Sequence, residues 1–276
     1  MGKKREGKFI LTSGDQIEKI NQAFKRLGLD ASASSFEFLA QKNIEEHGTI
    51  YDFLENLLKG EYVDKEQRRV AREIKNAKLY PITNLKDYNF SEQPSVDPVQ
   101  INEFASCRFI EKGRNIIFLG APGVGKTHLS VALGLIAIEK GFVVRFMRLN
   151  EFIDAVDRSK DTGTRRLQSS LTGANLLILD DIDYYTPDED AGKFLFDVLK
   201  QRDLDNRSII ITSNKSPDDW GNLFGDASRR VAAVDRIFNK YKSDVINFKG
   251  GSSHRVPNPS YQTIAKPKSE LAALKR

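Results

Sequence analysis

A chain of 276 residues, 39% of them hydrophobic, has room for a small domain beside a medium one and enough apolar side chains for a real core. Its one cysteine, Cys107, excludes an internal disulfide and a cysteine-based zinc site, and fits a reduced, cytoplasmic protein. The net charge is +5, and most of the excess lies in residues 251–276, which fits a polyanion partner or a solvated tail equally well.

The basic start MGKKREGKFIL leads into no long apolar segment, so neither a signal peptide nor a membrane span is expected. The first hundred residues read as helical. QIEKINQAFKRLGL (16–29) places Ile17, Ile20, Phe24 and Leu27 at helical spacing, and SFEFLAQKNIEE (35–46) and TIYDFLENLLKGEY (49–62) do the same. DKEQRRVAREIKNAKL (64–79) sets Lys65, Arg68, Arg69, Arg72, Lys75 and Lys78 along one broad face, with Val70, Ile74 and Ala77 on another. Such a face is first of all a wet one. The other reading is a line of contacts to a duplex backbone, made by Lys65, Arg68, Arg69 and Arg72. Residues 1–79 are thus read as a small all-helical domain that binds DNA or a partner. YPITNLKDYNFSEQPSVDPVQ (80–100) has three prolines and no helical period, and is expected as a linker.

From residue 101 the rhythm changes. NIIFLG (115–120), FVVRFMR (142–148), NLLILDDI (175–182), SIIITSN (208–214) and DVINFKG (244–250) read as strands, with helical patterns between them. Nearly continuous apolar strands alternating with helices predict an α/β domain over 101–256, with a five-stranded parallel sheet covered on both faces. Residues 257–276, rich in Pro, Ser and Lys, are expected as a flexible basic tail.

The chemistry gathers at GAPGVGKTHLS (120–130), which follows a strand and opens a helix. Its form, G-x-x-x-x-G-K-[ST], is that of a phosphate-binding loop. Residues Gly120, Ala121, Pro122, Gly123, Val124, Gly125, Lys126 and Thr127 can cradle phosphates on backbone N–H groups and a helix N-terminus. Lys126 is read as reaching the β- and γ-phosphates of ATP, and Thr127 as a ligand of Mg²⁺. NLLILDDID supplies the acid at the end of a buried strand: Asp180 for Mg²⁺, through water, and Asp181 to orient or deprotonate the attacking water. Asp181 and Asp183 also read as loop or capping residues. SIIITSN ends in Thr212, Ser213 and Asn214, which could reach the γ-phosphate, with Asn214 favoured as its sensor; the other reading is a helix cap. Acids beside the metal ligand, without an arginine-rich lid, fit water as nucleophile better than a small-molecule kinase.

GAPGVGKTHLSVALG, GFVVRFMRLNEFID, LLILDDIDYYTPDEDAGKFLFDVLKQR, SIIITSNKSPDDWGNLFGD, AAVDRIF and VINFKGGSSHR, in this order, resemble the AAA+ ATPases. Within them the chain is similar to the IstB-like transposition helpers, relatives of the DnaC and DnaI helicase loaders, over roughly residues 10–257. The resemblance implies a P-loop NTPase core without a lid domain, and adds His128 to the nucleotide-binding loop. It places Arg236 as an arginine finger reaching a neighbour's nucleotide in a homo-oligomer, with Arg229 and Arg230 as rivals, a salt bridge to Asp235 as the bland reading, and Arg255 as a second arginine near the nucleotide. It also implies DNA contact from 150–170, where Lys160, Arg165 and Arg166 cluster; solvent exposure is the equal alternative. Many relatives carry Asp-Glu where this chain has Asp180-Asp181, so hydrolysis is expected to be slow or partner-dependent. The implied function is an ATPase that oligomerises on double-stranded DNA and recruits or stimulates a transposase. A loader of a replicative helicase and a non-hydrolysing ATP switch are the alternatives.

Overall fold

The computed structural model describes residues 14–249, apart from 161–162, 184–185 and 221–222. It divides into two compact units, with the boundary between Arg72 and Glu73.

The first unit is helical, as expected. Helices α1 (Gly14–Arg26), α2 (Asp30–Glu45) and the start of α3 (Ile50–Ala77) build it. Phe24, Phe36 and Phe53 pack in sequence, tilted and then edge-on, with 5.7 Å between successive ring centroids. Glu61 of α3 is buried and accepts from the Ser32 N–H at 2.9 Å, which satisfies an otherwise open donor in the first turn of α2. The segments 49–62 and 64–79 are one helix of 28 residues, not two. Gly60 costs roughly 1 kcal/mol inside a helix, but pairs Lys65–Glu61, Arg68–Asp64 and Arg69–Glu66 carry the helix across the seam.

The second unit holds a parallel sheet with strand order β2-β3-β4-β1-β5. The strands are β1 (Asn115–Gly120), β2 (Val144–Arg148), β3 (Leu176–Asp180), β4 (Ser208–Ser213) and β5 (Ser243–Phe248). Each lies within two residues of its sequence-based bounds. Ile117, Leu177, Leu179, Ile209 and Ile211 face one side, where they meet α7 (Leu149–Ser159), α8 (Arg165–Gly173), α9 (Glu189–Leu204) and α10 (Ala227–Ile237). The intervening residues face α6 (Lys126–Glu139), whose Gly134 has no room for a Cβ because Ile178 Cδ1 stands 2.7 Å from where it would lie. Helices α4 (Pro98–Ala105) and α5 (Arg108–Glu111) precede β1 and escaped the sequence reading because both are short.

The stretch 80–100, expected as a linker, is not one. It is built into the second unit rather than strung out as a linker. Short 3₁₀ turns at Leu85–Asp87 and Phe90–Glu92 carry Tyr88 into a buried position, and Gln93 and Val96 are buried as well. The prolines suppress a helical period, and Tyr88 is held by contacts with the phosphate loop, which leave no period to read.

Candidate nucleotide site

The carboxyl ends of β1, β3 and β4, neighbours in the sheet, bring the phosphate loop, the acidic pair and the polar strand tip to one edge. This is the edge at which open α/β sheets bind ligands. Gly125 opens α6 with φ +95°, a conformation glycine takes without strain. A Cβ there would also lie 2.6 Å from the Tyr88 ring. Tyr88 thus backs the loop from outside: its hydroxyl donates to the Val124 carbonyl at 3.4 Å, and burial pushes its pKa up to about 12.

Lys126 is buried, and its ammonium donates to Gly120 O at 2.7 Å, Ala121 O at 2.8 Å and Asn214 Oδ1 at 2.8 Å. Thr127 Oγ1 donates to Asp180 Oδ1 at 2.8 Å, and Thr212 Oγ1 donates to the same oxygen at 2.7 Å. Asp180 is fully buried; burial raises its pKa, Thr212 opposes that, Asp181 adds to it, and Thr127 and Arg148 oppose it further. Its other oxygen, Oδ2, is buried without a hydrogen-bond partner and lies 3.7 Å from Arg148 Nε. A hydroxyl and a buried carboxylate oxygen with no hydrogen bond are hard donors that suit Mg²⁺, so Thr127 and Asp180 fit the cation that the motif implies. Asp181 sits at φ +52°, a left-handed conformation that aspartate tolerates, with its N–H held by Thr212 Oγ1 at 2.8 Å.

The strand tip differs from expectation. Thr212 and Ser213 are fully buried and serve the protein: Thr212 holds the acidic pair, and Ser213 Oγ accepts from Trp220 Nε1 at 3.0 Å. Asn214 alone of the three meets the loop lysine. His128 turns its ring away, with Nε2 3.0 Å from Asn84 O and the ring edge-on to Tyr88. Residue types alone did not distinguish these directions.

Arg236 donates to Ala232 O at 2.8 Å, and its guanidinium lies 5.6 Å from the Phe196 ring centroid. It makes no ion pair with Asp235 among the described residues. It lines a notch with Gly113, Asn115 and Ile209, at the amino ends of β1 and β4. A six-residue strand spans about 20 Å, so Arg236 stands at the edge opposite its own phosphate loop. Arg229 pairs with Asp226 at 3.3 Å, and Arg230 donates to Asp218 O at 3.3 Å. Arg255 lies outside the described residues.

The basic candidates separate. Lys65 pairs with Glu61, Arg68 with Asp30 and Asp64, Arg69 with Glu66, and Lys160 with Asp157 and Asp188. Arg72 is exposed on α3. Arg165 and Arg166 are exposed in the first turn of α8, with no carboxylate in salt-bridge range among the described residues.

The family model of the IstB-like ATP-binding proteins matches residues 22–260. The chain belongs to that family. This IstB-like chain is 33% identical over 238 residues to the ATP-binding protein of insertion sequence IS5376 from Geobacillus stearothermophilus, covering 85% of this chain and 93% of the relative. It is 34% identical over 238 residues to that of IS21 from Pseudomonas aeruginosa, covering 86% and 88%. Among solved structures, the DnaC helicase loader superposes with a TM-score of 0.50 at 23% identity, over 62% of this chain and 99% of that one. The structure of DnaI gives 0.51 at 18%, over 64% and 92%. At those identities the likeness is one of fold, that of an AAA+ core. Among the described residues no helix is long and apolar enough to cross a membrane.

Proposed function

We propose that this IstB-like chain is a Mg²⁺-dependent ATPase that assembles on double-stranded DNA and recruits or stimulates the transposase of its insertion sequence. One observation carries the ATPase reading: Asp180 is pinned by two hydroxyls on one oxygen, and its buried second oxygen, with no hydrogen bond and only the Arg148 guanidinium 3.7 Å away, stands beside the phosphate loop. Lys126 and the loop N–H groups bind and orient the triphosphate. Thr127, and Asp180 through water, would hold Mg²⁺, which when bound would supply positive charge against the phosphate oxygens. Asp181 takes the proton of the attacking water as the bond between the γ-phosphorus and the bridging oxygen breaks, yielding ADP and inorganic phosphate.

Arg236 cannot serve its own nucleotide from the far edge of the sheet, which supports its acting on a neighbour's and makes ATP the link between protomers. Hydrolysis then loosens the assembly. Phosphate contact with DNA falls first to Arg165 and Arg166, because most of the other candidates are held by carboxylates. The fold also allows a helicase loader. Identity of 33–34% to insertion-sequence proteins, against 18–23% to the loaders, favours the transposition role. The test is duplex binding and phosphate release with ATP, for wild type, K126A and D181N. Binding that is independent of ATP, or unchanged in K126A, contradicts the proposal.

A further inference from the structure

We infer that Asp183 is a positioning residue that sets Asn214, and through it Lys126; its catalytic meaning rests on the ATPase reading above. Asp183 lies two residues past the acidic pair, in a loop where a carboxylate needs no role beyond shaping the turn. Its side chain instead grips the tip of β4 twice. Oδ1 accepts from the Asn214 backbone N–H at 2.8 Å, and Oδ2 lies 3.4 Å from the Asn214 side-chain nitrogen. Asn214 Oδ1 in turn accepts from the Lys126 ammonium at 2.8 Å.

The chemistry of the two neighbours leaves the amide one orientation. An ionised carboxylate only accepts and an ammonium only donates, so the NH₂ must face Asp183 and the oxygen must face Lys126. Without Asp183 the broad, roughly two-fold amide torsion is restrained by the ammonium alone. Asp183 adds a second restraint, at the NH₂ end and at the backbone N–H, and so narrows where the amide oxygen can sit. It joins three separate stretches, the loop after β3, the tip of β4 and the phosphate loop, in one line of hydrogen bonds. Support of this kind is what holds a reacting group in register. It also links Lys126 to a carboxylate through the amide, beside the bonds that the ammonium makes to the Gly120 and Ala121 carbonyls.

Asp183→Asn isolates the effect. Its oxygen can still take the Asn214 backbone N–H, so the turn is preserved, but its NH₂ then meets the Asn214 NH₂, donor against donor. The side-chain amide resonances of Asn214, identified in ¹⁵N-labelled protein by their loss in N214A, should move in D183N without nucleotide. kcat for ATP should fall about ten- to a hundred-fold, the loss of one charge-assisted contact, at a melting temperature close to wild type. In the N214A background D183N should add no further loss, because it acts through that amide. Should D183N unfold, Asp183→Ser keeps an acceptor in the turn and serves the same measurements. Unmoved Asn214 resonances, or losses that multiply in the double variant, overturn the inference. A wild type that hydrolyses no ATP counts against the ATPase reading alone, and the resonances then decide the Asp183–Asn214 pairing by themselves.

Discussion

Replacing Thr212 by valine tests whether β4 holds the acidic pair. Thr212 is fully buried, and its one hydroxyl donates to Asp180 Oδ1 at 2.7 Å while accepting the Asp181 N–H at 2.8 Å. Valine keeps the branched shape and removes both bonds. The bond to the carboxylate is worth about 1.5–3 kcal/mol, and a buried N–H left without an acceptor costs about 1–3 kcal/mol. The two losses share one atom and will not add fully, so we expect a destabilisation of about 3 kcal/mol. Trp220 is the only tryptophan; it is buried in this unit and bonded to Ser213 beside Thr212. Its fluorescence in urea reports unfolding of this unit. Thr212→Ser keeps the hydroxyl and should lose less than about 1 kcal/mol, mostly from the missing methyl. A valine variant within about 0.5 kcal/mol of wild type, the range of an inconsequential substitution, would refute the reasoning, because it would mean that the hydroxyl orients neither group.

Three further outcomes are expected. Arg236→Ala should bind ATP normally but hydrolyse it about 10³-fold more slowly, and mixing it with D181N protomers should restore part of the activity, because each supplies what the other lacks; no recovery in the mixture argues against action across subunits. Replacing Arg165 and Arg166 together by alanine should leave the urea midpoint unchanged and reduce the salt dependence of duplex binding by a slope of about two; an unchanged slope moves the contact elsewhere. Gly125→Ala must adopt a left-handed conformation and meet Tyr88, with 2.6 Å left for the new carbon. The backbone alone costs about 1–2 kcal/mol, so calorimetry should show ATP binding weakened more than tenfold, and near-normal affinity would show that the loop does not need this conformation.

The parts legible in the sequence are those that repeat. The strands stood out because both of their faces are buried, so apolar residues run on unbroken through NIIFLG and LLILD. The phosphate loop stood out because its glycines and Lys126 have a fixed spacing. What was hidden depends on contacts far apart in the chain. The direction of a side chain at a strand tip is set by its neighbours across the sheet, so Thr212 was grouped with the favoured Asn214 as able to reach the γ-phosphate, although one holds Asp180 and the other Lys126. Asp183 read as a turn residue because nothing local ties it to position 214. The basic stripe on α3 looked continuous because Asp30, which takes Arg68, lies on another helix. The 3₁₀ turns around Tyr88 carry no period at all, and only their packing against the phosphate loop gives them a place.

The proposed assembly depends on ATP at Lys126 joining protomers on duplex DNA. Sedimentation velocity of a labelled duplex with the protein measures this most directly. With ATP, wild type should shift the duplex to large species that fall apart as ATP is consumed, D181N should hold them, and K126A should form none. Large species of equal size with K126A, or without any nucleotide, would contradict the account.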